Sequence, residues 1–343
     1  MKPAVARGPW GRAWNRFKAQ KLGYYSLLLF LLMLVLSSAA ELISNDKPIL
    51  VRYQGQWYVP LLNDYAETTF GGDFPTPADY HDPFVLQQIT GGDNWALFTP
   101  NRYGPNTLNY FASKPNPAPP SSENWLGTDE KGRDVLARLL YGFRISALFG
   151  LALTFVGTLL GVIIGALQGY FAGRIDLIGQ RLIEVWGALP ELYLLLIIVS
   201  MFEPSIWVLF VVLSLFGWML MSDYVRAEFL RNRNLEYVTA ARALGLSDWQ
   251  IIRRHLLPNS MTSVIAFLPF RKSAAVLALT AFDFLGLGVP PSTASLGELL
   301  AQGKANLDAW WISLSTFAVL VSLLLLLVFI GEAARAALDP RAD

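Results

Sequence analysis

Four stretches of this 343-residue chain run uncharged for long enough to cross a bilayer: 19 residues between Lys21 and Glu41, 29 between Arg144 and Arg174, 19 between Glu203 and Asp223, and 23 between Asp308 and Glu332. A helix needs about 20 apolar residues to traverse the hydrocarbon, where the backbone must satisfy its own hydrogen bonds. Two further candidates are interrupted by polar residues. Residues 182–201 contain Glu184, Pro190 and Glu191, and residues 263–286 contain Arg271, Lys272 and Asp283. A composition of 54% apolar and 15% charged residues agrees with a membrane chain. The expectation is an all-α membrane protein of six spans.

Charge placement orients the spans. Residues 1–21 hold Lys2, Arg7, Arg12, Arg16, Lys18 and Lys21 without an acid, so the positive-inside rule puts the N-terminus, and after six crossings the C-terminus, in the cytoplasm. Arg174, Arg181, Arg226, Arg231, Arg233, Arg242, Arg253, Arg254, Arg335 and Arg341 then fall on the same side. Ser38, Ala39 and Ala40 offer a signal-peptide cleavage site, but the preceding apolar core is too long for one, and an uncleaved first span is expected. The resulting organisation is a basic N-terminus (1–21), a first span (22–43), an external domain with a Pro-rich linker (44–143), a five-helix core (144–335) containing a cytoplasmic loop at 234–259, and a tail (336–343).

From Glu41 to Leu140 the chain has 12 acids against 7 bases, which suits a long translocated segment exempt from the charge rule. Alternation from Ile49 to Val59 predicts a β-hairpin turning near Gln54-Gly55, and the proline-rich run 114–122 predicts a stiff, extended linker. Within it all, chemistry is scarce. There is no cysteine, and His81 and His255 lie too far apart to read as a metal site. The net charge of +1 gives no argument for nucleic acid. Gly127 to Asp134 has phosphate-loop glycine spacing but places Arg133-Asp134 where lysine and a hydroxyl are required; Gly297 lies one residue too far from Gly303-Lys304. No enzymatic site is expected.

Gly157, Gly161, Gly165, Gly169 and Gly173 recur every four residues in the second span, a stripe suited to close helix packing in lipid. No internal repeat is visible, which argues against an inverted-repeat carrier.

The loop at 234–259 is the most informative segment. Asn234 is a cap-type residue, a helical body runs to Gly245, and Ser247-Asp248-Trp249-Gln250 matches a capping box for a second helix expected to stop at Pro258. Leu244, Leu246, Trp249 and Ile252 are apolar knobs on a segment too short to bury them, which implies a covering partner. An amphipathic loop resting on membrane lipid is the plainer alternative.

The residues from Tyr237 to Gly245, followed by Arg254-His255-Leu256-Leu257-Pro258-Asn259, resemble the EAA loop of ABC importer permeases in the dipeptide and oligopeptide branch. Leu126 to Asp129, Gly132 to Arg138, Phe284 to Pro291, Leu296 to Leu300 and Ala337 to Arg341 look like further segments of that branch. The external runs from Asn45 to Tyr53 and Thr69 to Thr76 look like its YejE-type members. Thr239 stands where the loop's eponymous glutamate often falls, and Ala278 where many peptide permeases carry a glutamate, so no role is carried over to Ala278.

The resemblance implies a type I importer permease in the bacterial inner membrane. It implies a second permease, ABC ATPase subunits that hold ATP and Mg²⁺, and a periplasmic peptide-binding protein as partners, with no cofactor in this chain. The implied substrates are peptides, including the peptide-nucleotide microcin C. Tyr237, Ala240, Ala241, Arg242, Leu244, Gly245, Leu246, Ser247 and Trp249 would dock the ATPase. Arg271, Lys272 and Asp283 are candidates for lining the translocation path, with structural pairing to a partner's acid as the alternative, since charges within spans face cavities or partners. A membrane receptor or scaffold, or a proton-coupled peptide carrier, are the competing functions.

Overall fold

The computed structural model describes residues 9–110, 112 and 114–338; the expectations for Lys2, Arg7, Asp339, Pro340 and Arg341 lie outside them. The helices are α1 (Pro9–Ala19), α2 (Lys21–Ser38), α3 (Ala40–Ile43), α4 (Pro83–Thr90), α5 (Val135–Phe171), α6 (Gly173–Gly187), α7 (Glu191–Met201), α8 (Ile206–Gly217), α9 (Met219–Asn232), α10 (Glu236–Ala243), α11 (Asp248–Ile251), α12 (Leu257–Phe284), α13 (Leu296–Ala305) and α14 (Trp310–Leu338). Five continuous helical stretches among the described residues are long and apolar enough to cross a membrane: α2, α5, α8 with α9, α11 through α12, and α14. The remaining span is not straight. Helices α6 and α7 meet at a 61° bend around Ala188 to Pro190, where proline has no N–H to continue the helical ladder. The first span is likewise interrupted near Ala39, and the basic N-terminal segment contributes α1, whose Trp14 ring stacks on Phe17 at 5.5 Å.

The chain divides into two compact units, one of residues 1–31, 146–290 and 321–343, the other of residues 32–145 and 291–320. In the second, β1 (Leu50–Tyr53), β2 (Gln56–Tyr58) and β3 (Trp95–Leu97) form an antiparallel sheet ordered β2-β1-β3. The hairpin closes through Gln54 (φ 50°) and Gly55 (φ 80°), both left-handed as a type I′ turn demands. Register pairs Val51 with Tyr58 and with Ala96, so Val51 and Tyr53 face one core. Phe70 is fully buried there, edge-on to Tyr53, Tyr58, Tyr65 and Tyr80. Helix α4 closes that core with Val85 and Ile89 and is capped by Asp82, whose carboxylate accepts from the Phe84 N–H at 2.7 Å.

The proline-rich run, expected to be a stiff, extended linker, is instead tied down by hydrogen bonds to its own unit. Ala118 N–H donates to Thr128 Oγ1 at 2.8 Å, Thr128 N–H to Ala118 O at 2.9 Å, and Thr128 Oγ1 to Asn116 Oδ1 at 2.8 Å. The two glycine-spaced segments that lack the residues of a phosphate loop meet here. Asp129 Oδ1 accepts from the Lys131 and Arg133 N–H groups, each at 2.9 Å, and its Oδ2 accepts from Arg133 Nε at 2.7 Å. Arg133 Nη2 donates to Glu298 at 2.8 Å, and Arg138 pairs with the other oxygen of Glu298. Asp134 accepts from Asn101, Asn124 and the Ala137 N–H; its burial pushes the carboxyl above the usual range against these bonds.

In the first unit the glycine stripe of α5 lies against the backbone of α8 and α9. A Cβ at Gly157, Gly161, Gly165 or Gly169 would come within 2.9, 2.8, 2.3 or 2.6 Å of the carbonyl oxygens of Gly217, Trp218, Ser222 and Arg226 respectively. Gly173 does not belong to this packing: a Cβ there would meet nothing within 4 Å, because the chain has already turned into α6. Helix α6 is fastened to α9 by Asp176, which accepts from Arg226 Nη2 at 2.7 Å.

Candidate coupling site

Helix α10 starts after Leu235, with no side-chain cap. Asn234, expected to cap it, sits one position too early. At the other end Gly245 N–H donates to Arg242 O at 3.0 Å and Leu246 N–H to Ala241 O at 3.2 Å. These are the two reverse bonds of a Schellman turn, and Gly245 takes its left-handed position at φ 81°. Ser247 then opens α11: Ser247 Oγ accepts from the Gln250 N–H, and Ser247 N–H donates to Gln250 Oε1 at 2.9 Å, closing the capping box.

The second helix does not stop at Pro258. Residues Ile252–Leu256 widen into a π-helical stretch, with the Leu257 N–H reaching back to Ile252 O, and the chain continues as α12. Pro258 falls in the first turn of α12, where a missing N–H is tolerated. Helix α11 is therefore continuous with a membrane-spanning stretch reaching Phe284.

A bracket absent from the sequence expectations holds this loop. Tyr170, near the end of α5, donates from its hydroxyl to Asp248 Oδ1 at 2.5 Å, while Arg242 Nη2 donates to that hydroxyl at 3.4 Å and stacks its guanidinium over the ring at 5.8 Å. Arg233 Nη1 donates to the Tyr170 carbonyl at 3.0 Å. The only sequence signal for it is a tyrosine at the end of an otherwise apolar span.

Underneath, Val238, Ala241, Ile251, Ile252 and Leu256 join Met221, Val225 and Phe229 in one core, with Tyr237 and Leu246 packed at its edge. Ile252 is thus buried by its own chain rather than left for a partner, as is Ala241. Outward face Ala240, Arg242, Gly245 and Ser247, and above all Leu244 and Trp249, which are 80% and 67% exposed. Two large apolar side chains thus stand exposed on a frame whose turn and second helix are both capped.

The three intramembrane charges of α12 do not converge. Arg271 Nη2 donates to the Gly217 carbonyl at the α8–α9 junction, satisfying an end-of-helix acceptor. Asp283 accepts from the Val289 N–H at 2.9 Å, bracing the turn after α12. Lys272 is buried, and its ammonium stands over the Phe30 ring at 4.3 Å.

Residues 157–343 match the model of the binding-protein-dependent transport system inner membrane component, and residues 8–62 that of the N-terminal TM domain of oligopeptide transport permease C. The chain belongs to the first family, the inner-membrane permeases of ABC importers, with the type I fold. It is 52% identical to the inner membrane ABC transporter permease protein YejE of Escherichia coli strain K12, over 95% of this chain and 96% of that one. It is 47% identical to the peptidoglycan transport system permease protein YejE of Agrobacterium fabrum, over 96% and 92%. The dipeptide transport system permease protein DppC of Bacillus subtilis is 38% identical over 65% and 70%. Among solved structures, an inward-facing MetNI methionine ABC transporter aligns with 59% of this chain and 97% of its own at a TM-score of 0.50 and 18% identity, a likeness of fold. Membership carries with it an ATPase and a periplasmic binding protein as partners, and an integral inner-membrane location.

Proposed function

We propose that this chain is the non-catalytic permease subunit of an ABC importer that moves peptides, peptide-nucleotides of the microcin C type among them, from periplasm to cytoplasm. The observation that carries the reading is the pair Leu244 and Trp249, held exposed on a capped frame continuous with a membrane span. The name of the Bacillus subtilis relative, a dipeptide transport system permease, supports peptides as cargo. In this reading both termini are cytoplasmic, a second permease completes the pathway, and ATP and Mg²⁺ are bound by ATPase subunits into which residues Tyr237 to Trp249 insert. ATP-driven closure of those subunits displaces the loop and, through α12, switches access. Arg271 and Asp283 are candidates for the path only on their remaining exposed faces, since each already holds backbone of its own chain.

The test is peptide uptake into proteoliposomes by the complex that copurifies with this chain. Gly245→Pro removes the N–H bonded to Arg242 O and forces φ to about −65°. Uptake and peptide-stimulated ATP hydrolysis should be lost while the chain still inserts. Undiminished uptake by that variant rejects the coupling role, and uptake that survives ATP depletion but not collapse of the proton gradient rejects an ABC mechanism.

A further inference from the structure

Lys272 is only 9% exposed and lines a cleft of about 570 Å³ within the first unit. Four spans wall it, α2, α5, α12 and α14, and apart from Lys272 the polar groups on it are the hydroxyls of Thr154 and Thr158. Both hydroxyl oxygens are buried without a hydrogen-bond partner. Among the described residues no carboxylate lies within ion-pairing distance of Lys272, and its ammonium rests over the face of Phe30. By contrast Arg226, Arg271 and Asp283 all have partners within the chain.

The cleft is open. Leu151, Phe155 and Leu159, which line it along one face of α5, are 54%, 66% and 49% exposed. Depth narrows what can enter. Lys272 lies 12 residues before Phe284, the end of α12, about 18 Å along the axis in a hydrocarbon layer of about 30 Å. A lipid phosphate stays at the interface and does not reach that level. A peptide in water would not be matched by walls of leucine and phenylalanine. An ammonium group with apolar surroundings at mid-depth is matched by a carboxylate that is itself carried within the membrane.

We propose that the cleft receives an aspartate or glutamate borne at mid-depth on a transmembrane helix of a second membrane chain, closing on Lys272 as an intramembrane ion pair while that helix's apolar face covers Leu151, Phe155 and Leu159. The proposal rests on the two-permease assembly proposed above and names the contact that locks it.

The experiment treats membranes containing the assembled complex with dicyclohexylcarbodiimide, which activates carboxyl groups in apolar surroundings. The carboxyl adds to the reagent, the Lys272 amine displaces dicyclohexylurea, and an amide joins the two chains. Mass spectrometry of the digest should find Lys272 linked to an acidic residue of a second membrane protein. The link should vanish in Lys272→Arg, which keeps the charge and the assembly. Lys272→Glu should lower recovery of the second chain by about tenfold or more, with its own membrane level, read by an epitope tag, unchanged. Absence of the link in the wild-type complex, a link to an acid of this same chain, or full assembly by Lys272→Glu overturns the proposal. Isolation of the wild-type chain without any second membrane protein would instead reject the two-permease reading on which it rests.

Discussion

The loop around Gly245 and the turn around Asp129 are both short, polar-capped structures next to long helices, yet they dispose of their side chains in opposite ways. At Asp129 the charges are turned inward: Arg133 and Arg138 both pair with Glu298, and Arg138 is fully buried. At Gly245 the backbone motifs satisfy the polar groups, and what is left over is apolar and exposed. One region spends its chemistry on holding its own unit together. The other is held by a Schellman turn, a capping box and the bracket of Tyr170, Asp248 and Arg242, and leaves Leu244 and Trp249 exposed.

That contrast fixes the order of mutational effects. Arg138→Met leaves Glu298 short of a buried partner and should destabilise the assembled complex by about 3–5 kcal/mol, read as thermal unfolding in detergent. A change under about 1 kcal/mol would mean that water replaces the guanidinium, and the pairing of Arg138 with Glu298 would not hold the turn. Trp249→Ala and Leu244→Ala should alter folding by no more than about 0.5 kcal/mol yet weaken ATPase docking by about 2 kcal/mol each. Titration of the purified ATPase against the permease complex separates the two quantities, and equal losses in both would erase the distinction. Smallest is Ser247→Ala, which removes one cap and should cost about 1 kcal/mol, with docking reduced only as far as α11 frays. Hydrogen exchange at Gln250 reports that fraying directly.

How legible each part was follows from how local its physics is. The uninterrupted spans, the hairpin at Gln54-Gly55 and the box at Ser247 depend on neighbours in sequence, and each stands where its pattern put it. The stripe through Gly169 was readable for the same reason, but Gly173 was not: periodicity carries no information about where a helix ends. Contacts across long separations were hidden. Nothing near Tyr170 announces Asp248, 78 residues away, and nothing near Arg133 announces Glu298, 165 away. Pro258 misled because a proline ends an α-helix but can follow a π turn without penalty.

That π turn has a geometric consequence. Each residue of an α-helix advances the azimuth by about 100°, and a stretch that closes on the fifth rather than the fourth residue absorbs one extra residue without advancing the helix by its usual share. Ile252–Leu256 therefore sets the angular phase between Trp249 and Lys272. Shortening the stretch by a residue would leave both ends intact and point them in directions about a quarter-turn out of step, so that a push received at one would arrive on the wrong side of the other.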